Sequence, residues 1–246
     1  MPRIYLSPST QEYNPYITGA GSEEYFMNLI ADAMEPYLTA NTIRFGRNTP
    51  EMTAASSIAQ ANSLSYDFYL ALHSNASTGG SREGAVRGII AFYYPGSANG
   101  KRAADIFVRN LKDIYPLPDK VYTSATTALG EVRQPYMPSV LLELGYHDNT
   151  ADALWVENNL EAIAANLVLS LTEYFGLPFV VPLTPWRGTV RTQGSPLNLR
   201  AAPALNSAVV TTMPSGAPVT VYGRYQDWYT VGYNGLLGYA FADYIT

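Results

Sequence analysis

Hydrophobic positions take two textures along the chain. Up to Phe175, short apolar runs (4–6, 68–72, 88–94 and 140–144) alternate with stretches in which apolar residues recur every three or four positions (22–38, 101–114 and 152–175). That alternation predicts an α/β domain, a mostly parallel sheet flanked by helices. In the first helical stretch Phe26, Leu29, Ile30, Ala33, Met34 and Tyr37 fall on one face behind Ser22, whose hydroxyl suits the free N–H groups of a first turn. Thr49-Pro50 predicts another helix start, because proline at the first helical position forfeits no intrahelical hydrogen bond.

The texture changes after Gly176. Prolines 178, 182 and 185 forbid a helix and predict a stiff, extended connector over 177–187. Beyond it, β-type segments at 188–192, 209–213, 218–223, 228–233 and 238–241 are separated by Gly, Pro, Asn and Ser turns, which predicts a small all-β barrel. The expected organisation is therefore a domain over 1–176, a linker over 177–187 and a second domain over 188–246.

Composition narrows the function. The 246 residues, 47% hydrophobic, suffice for two cores. No apolar run approaches the ~20 residues of a membrane-spanning helix, so no membrane span is expected. The net charge of −5 divides into an acidic first part and a weakly basic tail, which offers nothing to nucleic acid. The absence of cysteine removes disulfides, thiolate zinc sites and every cysteine-nucleophile hydrolase. Met1-Pro2-Arg3 leads straight into Ile4-Tyr5-Leu6 without a charged-then-apolar signal segment, so the expected location, extracellular or cell wall, implies phage-type release or a trimmed chain.

Only two histidines are available to any metal or base chemistry, His73 and His147. His73 directly follows the apolar run 68–72, and α/β sheets place ligands at the carboxyl ends of their strands. Glu143 interrupts the apolar run Val140-Leu141-Leu142, where a buried carboxylate is costly unless it is paired or works. If that strand continues, Glu143 and His147 share a face about 13 Å apart at roughly 3.3 Å per residue, and a bend at Gly145 brings them closer. Glu23 and Glu24 open the first helix, where the helix dipole alone accounts for acids.

Four segments resemble the zinc-dependent N-acetylmuramoyl-L-alanine amidases of the type 3 family: Ile4-Tyr5-Leu6-Ser7-Pro8-Ser9, the Glu23 segment, Ala71-Leu72-His73-Ser74-Asn75-Ala76, and 138–146 with Asp148-Asn149. The resemblance implies that Glu23 and His73 bind Zn²⁺ and that Glu143 is the catalytic glutamate. It also implies a histidine just after the first strand, where this chain has Ser9-Thr10-Gln11-Glu12-Tyr13-Asn14. His147 is taken as the replacement third ligand, with Gln11 or Glu12 as lesser substitutes. Arg133 stands where the family often places an arginine near substrate, with a salt bridge as its duller role.

The tail resembles bacterial SH3-like domains through Leu197-Asn198-Leu199-Arg200 and Asp227-Trp228-Tyr229. Such modules bind wall components, so peptidoglycan is the expected partner of both domains. The expected function is hydrolysis of the amide bond between N-acetylmuramic acid and L-alanine; the alternative is a wall-binding protein that has lost its metal site.

Overall fold

The structure is a computed structural model that describes residues 1–79 and 82–246. It contains two compact units, one formed by 2–34 with 45–174, the other by 35–44 with 175–246 and Met1.

The first unit is built on a six-stranded sheet in the order β2-β1-β3-β6-β4-β5, from β1 (Arg3–Pro8), β2 (Arg44–Arg47), β3 (Phe68–Asn75), β4 (Ile89–Tyr93), β5 (Val121–Ala125) and β6 (Ser139–Tyr146). β1, β3 and β6 run parallel and β5 is parallel to β4, with one antiparallel step between β6 and β4. Both faces of the centre are covered, so Phe68 to Leu72 and Val140 to Leu142 read as unbroken apolar runs and are buried. β2 and β5 are short, polar strands, with β5 at one edge and β2 at the other, and neither leaves an apolar signature in the sequence.

The helices of this unit are α1 (Glu23–Ala40), α2 (Ala54–Asn62), α3 (Ala98–Leu111), α4 (Gly130–Arg133), α5 (Thr150–Asn158) and α6 (Leu160–Phe175). α1 begins where expected, with Tyr25 N–H donating to Ser22 Oγ at 3.2 Å. α2 begins at Thr53 and not at Pro50, because Thr53 and Ser56 form a reciprocal capping box that closes two free N–H groups. The single helix expected over 152–175 is two, broken at Asn159, whose side chain donates to Trp155 O at 2.7 Å. Buried Asp152 in the first turn of α5 accepts from Arg87 Nε, Tyr115 OH, Gly88 N and Tyr146 N, which ties α5 to the end of β6 and the approach to β4. Gly145, at φ +84°, makes that approach possible, since a Cβ there would meet Asp152 Cβ at 3.2 Å.

The second unit is an antiparallel six-stranded sheet in the order β7-β10-β11-β12-β8-β9: β7 (Pro182–Thr189), β8 (Leu197–Arg200), β9 (Val209–Met213), β10 (Pro218–Tyr225), β11 (Trp228–Tyr233) and β12 (Leu236–Phe241). Its core is Val190, Leu199, Met213, Val219, Val221 and Val231. The stretch read as a linker is extended, but from Pro182 onward it is β7, paired through Trp186 with Val221 and Arg187 with Thr220. β7 lies at the sheet edge, which is where prolines are tolerated. The same unit includes the end of α1: the Asn41 side chain donates to Val180 O at 2.8 Å and accepts from Val180 N at 2.7 Å, imitating a strand partner. Arg200 Nη1 donates to Ser207 O at 2.8 Å and so holds the turn after β8.

Candidate active site

The carboxyl ends of β1, β3 and β6 open on a pocket of about 490 Å³ lined by Gln11, Asn48, His73, Glu131 and Glu143, among others. The parallel register sets His73 of β3 beside Glu143 of β6, so the two side chains are neighbours on one face. The first turn of α1 brings Glu23 to one ring nitrogen of His73, and α4 brings Glu131 to the other.

Both imidazole nitrogens are engaged. His73 Nδ1 lies 2.8 Å from Glu23 Oε1, and Nε2 lies 2.9 Å from Glu131 Oε2. The Gln11 side-chain amide joins the first of these groups, 3.3 Å from His73 Nδ1 and 3.4 Å from Glu23 Oε1. Asn14 Nδ2 donates to Glu23 Oε2 at 2.7 Å. Glu131 Oε1 accepts from Ser7 Oγ and from Tyr69 OH, each at 2.7 Å.

The electrostatics follow from these contacts. Burial alone would lower the His73 pKa, but Glu131 and Glu23 together raise it well above the ordinary imidazole value. For Glu23 and Glu131 burial pushes upward, and the bonds and charge of His73, with help from Asn14 and from Ser7 and Tyr69, bring each below the usual carboxylate range. Glu143 gains less. Burial, opposed by His73 and reinforced by Glu23 and Glu131, raises it to about 7, and its buried Oε2 has no hydrogen-bond partner among the described residues. Two carboxylates thus contact one imidazole with a third nearby, and among the described residues no lysine or arginine lines the pocket.

Glu23, His73 and Glu143 therefore come together, whereas His147 does not join them. His147 Nδ1 lies 3.2 Å from Ser74 Oγ and 2.9 Å from Ser74 O, and its ring stacks on Tyr16 at 5.8 Å. His147 is thus held by Ser74 and Tyr16, and no hydrogen bond joins it to His73, Glu23 or Glu143 among the described residues. Among the described residues no three His, Cys, Asp or Glu side chains form a group able to hold an ion, so the expected set Glu23, His73 and His147 is not assembled. Arg133 is exposed, and Glu131, two residues earlier, turns inward instead. Nothing in Leu129-Gly130-Glu131-Val132-Arg133 singles out Glu131 before the fold is known.

Comparison with known proteins assigns both parts of the chain to families. The N-acetylmuramoyl-L-alanine amidase family matches residues 9–173, and the bacterial SH3 domain matches 195–246. The chain belongs to the N-acetylmuramoyl-L-alanine amidase family. Its reaction is hydrolysis of the peptidoglycan amide that joins N-acetylmuramic acid to L-alanine. Similar solved structures include the catalytic domain of CwlV from Bacillus (Paenibacillus) polymyxa var. colistinus, at 19% identity and TM-score 0.62 over 72% of this chain and 100% of that one. AmiC2 of Nostoc punctiforme matches at 14% identity and TM-score 0.62 over 71% and 97%, and the catalytic domain of the CD27L endolysin targeting Clostridia difficile at 18% and 0.55 over 70% and 98%. These likenesses establish the fold. No curated protein matches the chain.

Proposed function

We propose that this amidase is a zinc enzyme in which Glu23 and His73 hold the ion, Gln11 completes the protein ligands, and Glu143 is the general base. The residues present fit a divalent cation. Three buried or pocket-lining carboxylates with one imidazole leave an excess of negative charge that no side chain of the pocket offsets. The Gln11, Glu23 and His73 Nδ1 atoms form a triangle with edges of 2.8, 3.3 and 3.4 Å, against the ~3.3 Å that separates two ligand atoms on one tetrahedral zinc. Gln11 Oε1 accepts from Asn14 Nδ2 and from Tyr13 OH, each at 3.2 Å, so binding an ion through that oxygen requires the Gln11 amide to turn away from both partners.

Zinc, when bound, supplies Lewis acidity that polarises the scissile carbonyl and acidifies water. The chain's own contribution is the proton. Glu143, with a pKa of about 7 and a free Oε2, is matched to take a proton from attacking water and return it to the departing L-alanine nitrogen. In the second unit the bacterial SH3 domain binds wall material and keeps the substrate close.

The free carboxylate of Glu143 beside the Glu23–His73 pair carries this reading. Elemental analysis of the purified chain is expected to give about one zinc per molecule. Glu143→Gln is expected to retain it while losing roughly 10²–10⁴-fold in turnover, with new amino termini, and not new reducing sugar ends, as the wild-type product. Parental turnover in Glu143→Gln would remove the base assignment.

A further inference from the structure

Glu131 is the one acid of the pocket that this mechanism does not use. It is almost wholly buried, at 5% exposure, yet it is no ordinary salt-bridge partner: Oε2 meets His73 Nε2 at 2.9 Å, while Oε1 is fixed by Ser7 Oγ and Tyr69 OH. Ser7 and Tyr69 are themselves hydrogen-bonded at 3.0 Å, so the carboxylate is held from two adjacent strands, β1 and β3. Tyr69 in turn stacks on Tyr5 at 5.3 Å within the buried cluster under α2 and α4. Each member of this support is hydrogen-bonded or ring-packed to the next. A metal-ligating imidazole typically donates its other N–H to a carboxylate, which fixes the tautomer and makes the ligating nitrogen a stronger donor.

We infer that Glu131 is a positioning residue for the metal centre: it holds the proton of His73 on Nε2, so that the Nδ1 lone pair faces Glu23 and Gln11. This rests on the zinc reading above and adds to it the side of the ring on which the ion sits. An ion shared by Glu23 and His73 must lie at Nδ1, because Glu23 approaches that nitrogen alone. Glu131, on the other nitrogen, then acts through His73 and does not touch the ion.

With two histidines in the chain, a long-range ¹H–¹⁵N correlation spectrum of the full-length zinc-loaded protein contains only two imidazoles. The expected spectrum shows His73 protonated at Nε2 and metal-shifted at Nδ1, with His147 unchanged by zinc. Glu131→Ala is expected to weaken zinc binding by about 10–100-fold and to mix the His73 tautomers. Glu131→Gln, which keeps an acceptor oxygen, is expected to recover much of that loss and provides the same readings should the alanine variant fail to fold. Zinc on Nε2 in the wild type would overturn the inference by making Glu131 a ligand. Zinc affinity unchanged in both Glu131 variants while His73→Ala abolishes binding would overturn it and leave the zinc reading intact. Absence of zinc binding by the wild type is the separate result that removes the zinc reading, and the role of Glu131 with it.

Discussion

Each histidine of this chain is defined by what its ring nitrogens touch. His73 is gripped by carboxylates on both sides, whereas His147 is 2% exposed, bonded to Ser74 and stacked on Tyr16, with its backbone accepting from Ile17 N and donating to Asn75 O. His147 is thus a packing residue that knits the end of β6 to the end of β3 and to the 14–22 loop. His147→Ala is expected to leave zinc content and affinity at the wild-type level, measured by elemental analysis and titration. It should cost about 1–3 kcal/mol of stability in denaturant unfolding through the lost hydrogen bonds and the hole beside Tyr16. A fall in zinc occupancy in that variant would restore His147 to the metal site. The contrast also shows where residue-level reading of the sequence ends. His73 and Glu143 were legible because each breaks an apolar strand, and polar groups are buried only for a reason. Glu131 was not, because the signal of a buried acid is its apolar surroundings, and the surroundings of Glu131 come from Ser7, Tyr69 and His73, more than 50 positions away.

At the scale of elements, the strand ends are shaped by the residues just beyond them. Asp148, immediately after the end of β6, accepts from Ser77 N, Thr78 N and both of their hydroxyls through Oδ2, and its backbone carbonyl accepts from Gly84 N. The Asp148 carboxylate therefore anchors Ser77 and Thr78 just after β3, and its carbonyl holds Gly84. Burial would raise its pKa, but the bonds from Thr78 and Ser77 prevail and hold it below the usual aspartate value. A carboxylate whose folded pKa is depressed stabilises the fold fully above its unfolded pKa of about 3.9 and loses that stabilisation as pH falls through the lower folded value. Asp148→Asn is accordingly expected to lower the melting temperature at pH 7 and to converge on the wild type near pH 2–3. Parallel melting curves at all pH values would show that charge is not what secures the segment. The central strands, α1, α3 and the strands β9 to β12 were all visible in the sequence, since burial on one or both faces imposes a period. What escaped included elements held by other means: β2 and β5, which are polar and flank the centre; the four-residue α4 and β8; β7, expected at 188–192 and found at Pro182–Thr189; the start of α2, set by a capping box; and the α5–α6 break, set by one asparagine side chain.

For the molecule as a whole, the question is what a small antiparallel barrel adds to an enzyme that already has a pocket for its bond. Peptidoglycan is an insoluble polymer, so a tethered binding module raises the effective concentration of cleavable amides around the enzyme without touching the chemistry. The second unit has a surface suited to that task. A groove beside β8 and β12 is lined by Arg191, Leu205, Trp228, Phe241, Asp243 and Tyr244. Trp228 is buried and packs edge-on against Phe241 at 5.4 Å, so it belongs to the wall of the groove and stabilises the barrel. Leu205 and Tyr244 are exposed and can be shortened without opening the core. An exposed apolar side chain and an aromatic ring with a polar tip, lining one groove with a cation and a carboxylate, suit a ligand that mixes sugar faces with zwitterionic peptide. The double variant Leu205→Ala with Tyr244→Ala is expected to sediment several-fold less with purified walls and to clear them more slowly, while its turnover of a soluble muropeptide stays at the wild-type rate. Equal losses on both substrates would mean that the barrel contributes to the chemical step itself, and unchanged sedimentation would move the wall contact to another face of the barrel.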